Sequence, residues 1–218
     1  MSRPDLDIFD VDHTITRRST VTRFMTKAIA RGLAPRRLAA AMVWYGIAYR
    51  LGLLRLRDRD DAFPMLRGVP RSDLEALAAE AFREHVRGDL NSRVEEVIRR
   101  RAAEGRRVVL ATSSLDIIVA PLAAHLGVRD VIATSLEFER GVATGRVAGR
   151  PLFWGEKQRR VLAFIREAGG DPRRCSFHSD SIYDLPLLEA VGEPVAVNPD
   201  LRLRCIAARR GWPIIDCR

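Results

Sequence analysis

Asp10 and Asp12 stand one residue apart in Asp10-Val11-Asp12-His13-Thr14, directly behind the short apolar run Leu6-Asp7-Ile8-Phe9. Two further runs with strand character also end in polar clusters: Arg107 to Ala111 runs into Thr112-Ser113-Ser114, and Cys175 to His178 runs into Ser179-Asp180-Ser181, with Asp184 four residues beyond Asp180. Carboxylates gathered at one edge repel one another unless a cation sits among them. A set of oxygen ligands with positions left open for water and a phosphate suits Mg²⁺. Lys157 adds a second cation. It falls in the first turn of its helix, where the macrodipole disfavours positive charge, and the chain has only one other lysine, Lys27. An ammonium aimed at a carboxylate or a phosphate accounts for both facts.

The elements that must position these groups follow from periodicity. Leu6–Phe9 reads as a buried strand. Residues 19 to about 87 then read as helices: Ser19 or Thr20 caps one running to Gly32, Pro35 opens another through Arg36 to Gly52, and Ser72-Asp73 with Glu75 opens a third. From about residue 91 helices and strands alternate. A helix over Val94–Glu104 is closed by Gly105, Arg107–Ser114 is a strand, and Leu115–Leu126 is a helix complicated by Pro121. Asp130–Val147 gives a strand and then a hairpin turning near Gly141. A helix over Gly155–Ala168 carries Val161, Leu162, Phe164, Ile165 and Ala168 on one face, and strands at Cys175–Asp180, Pro194–Asn198 and Pro213–Ile215 are separated by further helices. Strands alternating with helices mean an α/β fold with a Rossmann-like, doubly wound parallel sheet. In such a sheet ligands bind at the carboxyl ends of the strands, where the three polar clusters fall. The reading divides the chain into a core of residues 1–18 and 88–218 and a helical cap, residues 19–87, placed after the first strand where it roofs the Asp10 loop.

Composition narrows the classes. The hydrophobic share of 47% and charged share of 30% belong to an ordinary globular protein with a substantial core. The net charge of +9 comes from arginines spread over the whole chain, with no long basic run interleaved with aromatics, which argues against nucleic acid as a partner. It still favours anionic substrates and membrane surfaces. Three cysteines, Cys175, Cys205 and Cys217, form no paired framework, and the N-terminus has no apolar leader, so the expectation is cytoplasmic. Met42–Leu54 is apolar but interrupted by Arg50, too short for a membrane span.

Taken together, the four clusters resemble the motifs of the haloacid dehalogenase-like phosphohydrolases. Asp10-Val11-Asp12-His13-Thr14 is similar to the first motif, Thr112 to the second, Lys157 to the third and Asp180…Asp184 to the fourth. Their order and the helical insert between the first two are similar to the branch containing phosphoserine phosphatases, with its type 1 cap. The resemblance implies Asp10 as nucleophile, forming an aspartyl-phosphate, and Asp12 as the acid that protonates the leaving alkoxide and then the base that activates water. It implies Mg²⁺ held by Asp10, Asp180 and the Asp12 backbone carbonyl, with Asp184 orienting Lys157 or the metal's waters. Thr14, Thr112, Ser113 and Lys157 would contact the phosphoryl oxygens. The acid role of Asp12 needs a raised pKa, which a neighbouring carboxylate and a closed cap supply.

The chain departs from the family pattern in three places. Ser113 and Ser114 replace the small glycine turn of the second motif, Ser179 replaces a glycine, and Arg17 and Arg18 follow the first motif where phosphoserine phosphatases carry an acid that reads the amino group. The expected substrate is therefore a small anionic or amphiphilic phosphomonoester, with Arg17 and Arg18 as binding residues and the apolar cap segment, including Trp44, Tyr45 and Tyr49, allowing transient membrane-surface contact. Phe153 and Trp154, just ahead of Lys157, flank the mouth of the site on this reading. His13 and His178 lack metal-ligand spacing and are expected to make local hydrogen bonds. The rivals are a phosphotransferase using the same intermediate, a non-catalytic anion- or membrane-binding protein on the same scaffold, and a glycosyltransferase with an Asp-x-Asp motif, which leaves Lys157 and the Asp180/Asp184 pair unexplained. The sequence leaves the oligomeric state open.

Overall fold

A computed structural model describes residues 6–36, 44 and 63–217 of the 218. Six strands form one parallel sheet in the order β3-β2-β1-β6-β7-β8: β1 (Leu6–Phe9), β2 (Arg107–Leu115), β3 (Asp130–Thr134), β6 (Ser176–Ser179), β7 (Glu193–Val197) and β8 (Ile214–Ile215). Strand β1 lies in the middle, paired Phe9 to Leu110 on one side and Phe9 to His178 on the other. The order reverses between β1 and β6, which opens a crevice at their carboxyl ends. The residues at that crevice are Asp10 and Asp180.

Both faces of the sheet are covered, as an all-parallel sheet requires. Leu6, Ile8 and Phe177 pack with Val161 and Ile165 of the helix Gly155–Glu167 and with Leu203 and Ala207 of the helix Leu201–Arg210. On the other face Phe9 and Leu110 pack with Val94 and Ile98 of Ser92–Ala103 and with Val119 and Leu122 of Asp116–Leu126. Asp7 is the exception inside β1. Fully buried, it accepts hydrogen bonds from Arg106 and from Ser176, the neighbour on β6, so its charge is compensated.

In chain order the α-helices given in full by the described residues are α1 (Thr20–Ala30), α2 (Arg71–Ala81), α3 (Ser92–Ala103), α4 (Asp116–Leu126), α5 (Gly155–Glu167), α6 (Leu185–Leu188) and α7 (Leu201–Arg210). Ser19 caps α1 by accepting the Thr22 amide, and Gly32 beyond its end takes a positive φ. Phe24, Met25 and Ala28 of α1 pack against Leu74, Leu77 and Ala78 of α2, and this layer rests on Leu115, Ile117 and Ile118 at the start of α4. The hairpin β4 (Leu136–Glu139) and β5 (Val142–Val147) closes the same cluster. Its backbone is tied to the segment leading into α2, through Gly68 to Ala143, Ala143 to Val69 and Phe63 to Gly145. Gly145 has to be glycine there: its φ is +83° and an added Cβ would lie 3.2 Å from the Phe63 carbonyl oxygen.

The sequence reading of a second cap helix over residues 36–52, with Tyr45, Tyr49 and the apolar stretch to Leu54, lies almost wholly outside the described residues. Trp44, described within it, is exposed. No described helix is long and apolar enough to cross a membrane.

Candidate active site

The loop after β1 is set by its backbone. The Asp10 amide donates to the His178 carbonyl at 2.9 Å, extending the β1–β6 ladder by one residue. The chain then makes one wide turn, closed by the Thr16 amide on the Val11 carbonyl at 3.0 Å, in which Asp12 is extended and His13 is left-handed at φ 62°. A non-glycine residue in that region is held against its preference, a condition that concentrates at functional sites. The strain has visible support. The Asn91 side-chain amide donates to the Thr14 carbonyl, the Asn91 backbone amide donates to the Ile15 carbonyl at 2.8 Å, and the Arg17 amide donates to the Asp89 carbonyl. The two chain segments that connect α1–α2 to the core are therefore pinned to each other directly beneath the loop.

Lys157 reaches this loop from the first turn of α5. Its Nζ donates to Asp10 Oδ1 at 2.8 Å and to Asp184 Oδ2 at 2.7 Å, and the side chain is 2% exposed. The ammonium also lies over the Phe177 ring, 5.3 Å from its centroid. Burial works to discharge the lysine, but the two carboxylates outweigh it and hold its pKa above the ordinary value. Ser179 donates to the same Asp184 oxygen at 2.6 Å. Asp180 is buried beside them, and its backbone carbonyl accepts the Asp200 amide. Asp200 in turn accepts the amides of Ile182 and Leu203, which rivets the 180–184 loop to the start of α7.

One ammonium does not neutralise three buried carboxylates. Burial drives the Asp10 pKa up to about 7, opposed by Lys157 and reinforced by Asp184 and Asp12. Burial, then Asp10, Asp184 and Asp200, likewise hold Asp180 well above the usual carboxylate range. Asp180 Oδ1 is buried with no hydrogen-bond partner among the described residues. Such a cluster suits a second cation beside Lys157. No three described His, Cys, Asp or Glu side chains form a ready-made metal cage, but Mg²⁺ characteristically takes one or two carboxylates and keeps several waters. The orphaned Asp180 oxygen and the raised Asp10 carboxyl fit that ion.

Asp12 lives differently. It is half-buried, and its partners are neutral donors: the Thr20 amide at the start of α1 gives a hydrogen bond to Oδ1 at 2.6 Å, and the Ser114 hydroxyl gives one to Oδ2 at 2.7 Å. Two adjacent acids thus have opposite surroundings, one locked to a buried ammonium and one held by polar groups at the edge, a pattern that separates chemical roles. Thr112 is buried and its hydroxyl oxygen accepts the Ser114 amide, while Ser113 is exposed at the strand end. Thr14 Oγ1 is buried without a partner among the described residues.

Residues 8–189 match the haloacid dehalogenase-like hydrolase family. The chain belongs to that family. Among haloacid dehalogenase-like relatives, a phosphoserine phosphatase of Mycobacterium tuberculosis is 30% identical over 99% of this chain and 73% of its own length. A histidinol-phosphatase of Neisseria meningitidis is 28% identical over 97% of this chain and 98% of its own. A crystal structure of a Bordetella pertussis protein of unknown function superposes with a TM-score of 0.86 at 31% identity, covering all of both chains.

The structure brings Asp10, Asp12, Thr112, Lys157, Asp180 and Asp184 to one end of the sheet. Arg17 and Arg18 are exposed on the link into α1 and make no ion pair with a described residue. Phe153 packs on Tyr183 at 4.9 Å between ring centroids, and exposed Trp154, with a positive φ, meets the same ring edge-on at 5.8 Å. His13 makes the local hydrogen bond expected of it, with the Arg17 carbonyl. His178 does not: its ring stacks on Phe9 at 4.3 Å, Nε2 is buried without a partner among the described residues, and burial lowers its pKa to about 4. The reason is register, since His178 stands opposite Phe9 and faces the interior with it. The sequence reading passed over the Asn91 brace and the contacts of Ser114 and Thr20 with Asp12. The serine in place of a turn glycine was the signal for Ser114; nothing local marked Asn91.

Proposed function

We propose that the protein is a Mg²⁺-dependent phosphomonoester hydrolase working through an aspartyl-phosphate on Asp10. The observation that carries the reading is the buried Asp10–Lys157–Asp184 bridge beside Asp180, whose Oδ1 has no partner among the described residues. Among described residues only Oδ1 of Asp10 is hydrogen-bonded, which leaves Oδ2 to attack phosphorus. Lys157 opposes protonation of the nucleophile and draws the phosphoryl group in. Asp10, Asp180 and the Asp12 carbonyl would hold Mg²⁺, which supplies charge neutralisation at the phosphoryl oxygens.

In the first step the Asp10 Oδ2–P bond forms as the ester P–O bond breaks, and the leaving alkoxide takes the Asp12 proton. In the second, Asp12 takes a proton from water, the water oxygen bonds to phosphorus, and the Asp10 O–P bond breaks to release phosphate. Thr112 and the Ser113 amide, at the end of β2, would hold phosphoryl oxygens. The names of the relatives support a small phosphomonoester of a polar alcohol, and exposed Arg17 and Arg18 support an anionic one.

The test is Asp12→Asn. It should lose nearly all turnover, about 10²-fold or more, yet bind Mg²⁺ as the wild type does in titration calorimetry, because its contact with the ion is through the backbone. Lost Mg²⁺ binding with turnover retained would refute the role. Product analysis with added alcohols decides between water and an alcohol as the phosphoryl acceptor.

A further inference from the structure

Ser114 occupies a place the phosphoryl chemistry does not require to be polar, yet it is bound on every side. It is 3% exposed, its amide is anchored on Thr112 Oγ1 at 3.1 Å, and its hydroxyl donates to Asp12 Oδ2 at 2.7 Å. The same hydroxyl lies 3.1 Å from Thr20 Oγ1, itself 2% exposed. Thr20 is the first residue of α1 and gives its amide to the other oxygen of Asp12. Asp12 therefore has both carboxylate oxygens fixed, one by the end of β2 and one by the N-terminus of an eleven-residue helix.

Resting on the function proposed above, we infer that Ser114, backed by Thr20, is a positioning residue. It locks the Asp12 carboxyl in the one orientation that can pass a proton to the leaving oxygen and later take one from water. It touches neither substrate nor phosphorus. The hydroxyl chain runs from Thr20 through Ser114 to Asp12, so the acid is in register only when α1 is seated on the end of β2. Alanine at 114 would leave Oδ2 without its donor and free Asp12 to turn away. Loss of a hydrogen bond to a charged group is worth a factor of roughly 10 to 100.

The substrate pair that reads this role is a primary alkyl phosphate, whose alkoxide needs a proton, and p-nitrophenyl phosphate, whose phenolate leaves without one. With the alkyl ester, Ser114→Ala should lower kcat about 10- to 100-fold with KM little changed. With p-nitrophenyl phosphate, the first turnover should suffer far less than hydrolysis of the phosphoenzyme, so stopped-flow should show a nitrophenolate burst approaching one equivalent per enzyme. Ser114→Thr, which keeps the hydroxyl, should recover most of the alkyl rate. Thr20→Val should give a weaker form of the same burst, and it carries the test if Ser114→Ala does not fold. Equal slowing of the first turnover of both esters, an effect on KM alone, or no effect would overturn the inference. A wild type whose nitrophenolate release is independent of Asp10 would overturn the parent reading instead, and the Asp10→Asn control separates the two failures.

Discussion

Replacing Lys157 by methionine isolates the charge at the centre of the site. Methionine fills much of the volume of the lysine stem, so the change removes the ammonium and opens little cavity. Lys157 Nζ lies 2.8 and 2.7 Å from its two carboxylate oxygens. At an effective dielectric of about 20 each contact amounts to about 6 kcal/mol of gross attraction. Most of that is offset by the desolvation of a buried ammonium, and removing one partner of a buried pair leaves a net loss of about 3–5 kcal/mol. A loss of that size would be a large part of a typical total stability of about 5–15 kcal/mol. For a chain of 218 residues it corresponds to a melting temperature lower by roughly 6–20 °C. The assay is thermal and urea unfolding followed by tryptophan fluorescence, in EDTA and in Mg²⁺. The loss should be greatest in EDTA and shrink in Mg²⁺, because the second cation takes over part of the neutralisation. A Lys157→Met variant within about 1 kcal/mol of wild type in EDTA would refute the reasoning.

Two further outcomes follow from the same electrostatics. The folded Asp10 carboxyl binds its proton more tightly than the unfolded one, about 7 against 3.8, so the metal-free protein should lose stability as pH rises through that interval. Mg²⁺ binding near pH 6.5 should then release protons, seen as a dependence of the calorimetric enthalpy on the buffer's ionisation enthalpy, and Asp180→Asn should abolish the binding. Glu80 behaves in the opposite sense: Lys27 and Arg31 hold its pKa down at about 2 against 4.5, so its contribution is present above 4.5 and is lost as pH falls toward 2. Glu80→Gln should flatten the acid limb of the unfolding curve in that window, and an unchanged limb would show that the α1–α2 ion pairs carry no stability.

Much of the site was legible because strand ends in a parallel sheet are fixed by local pattern. A strand of four residues with Leu6, Ile8 and Phe9 apolar, followed by Asp10 and Asp12, places Asp10 at a carboxyl end wherever the strand sits in the sheet. Lys157 could be singled out because its position in the first turn of α5 contradicts the helix dipole. Contacts made across long sequence separations were less visible. Ser114 meets Asp12 across 102 residues and Asn91 meets Thr14 across 77, and neither pairing leaves a periodic trace. The β4–β5 hairpin was foreseen as a hairpin, but its backbone pairing with residues 63–71 depends on Gly145 permitting close approach, which composition does not announce. Helix α6 is shorter than its apolar run suggests. The chain must turn tightly into β7, and Gly192 passes so near Arg173 that an added Cβ would lie 1.9 Å from its carbonyl oxygen.

The central claim is that Asp10 carries a phosphoryl group in a reaction that needs Mg²⁺. The most direct measurement is phosphate release from a panel of phosphomonoesters spanning phosphoserine, histidinol phosphate, sugar phosphates, choline and ethanolamine phosphates and lysophosphatidate, with Mg²⁺ or EDTA, beside Asp10→Asn. The account predicts turnover of at least one ester that vanishes both in EDTA and in the folded variant. Turnover that survives in Asp10→Asn, or that is indifferent to EDTA, would contradict it.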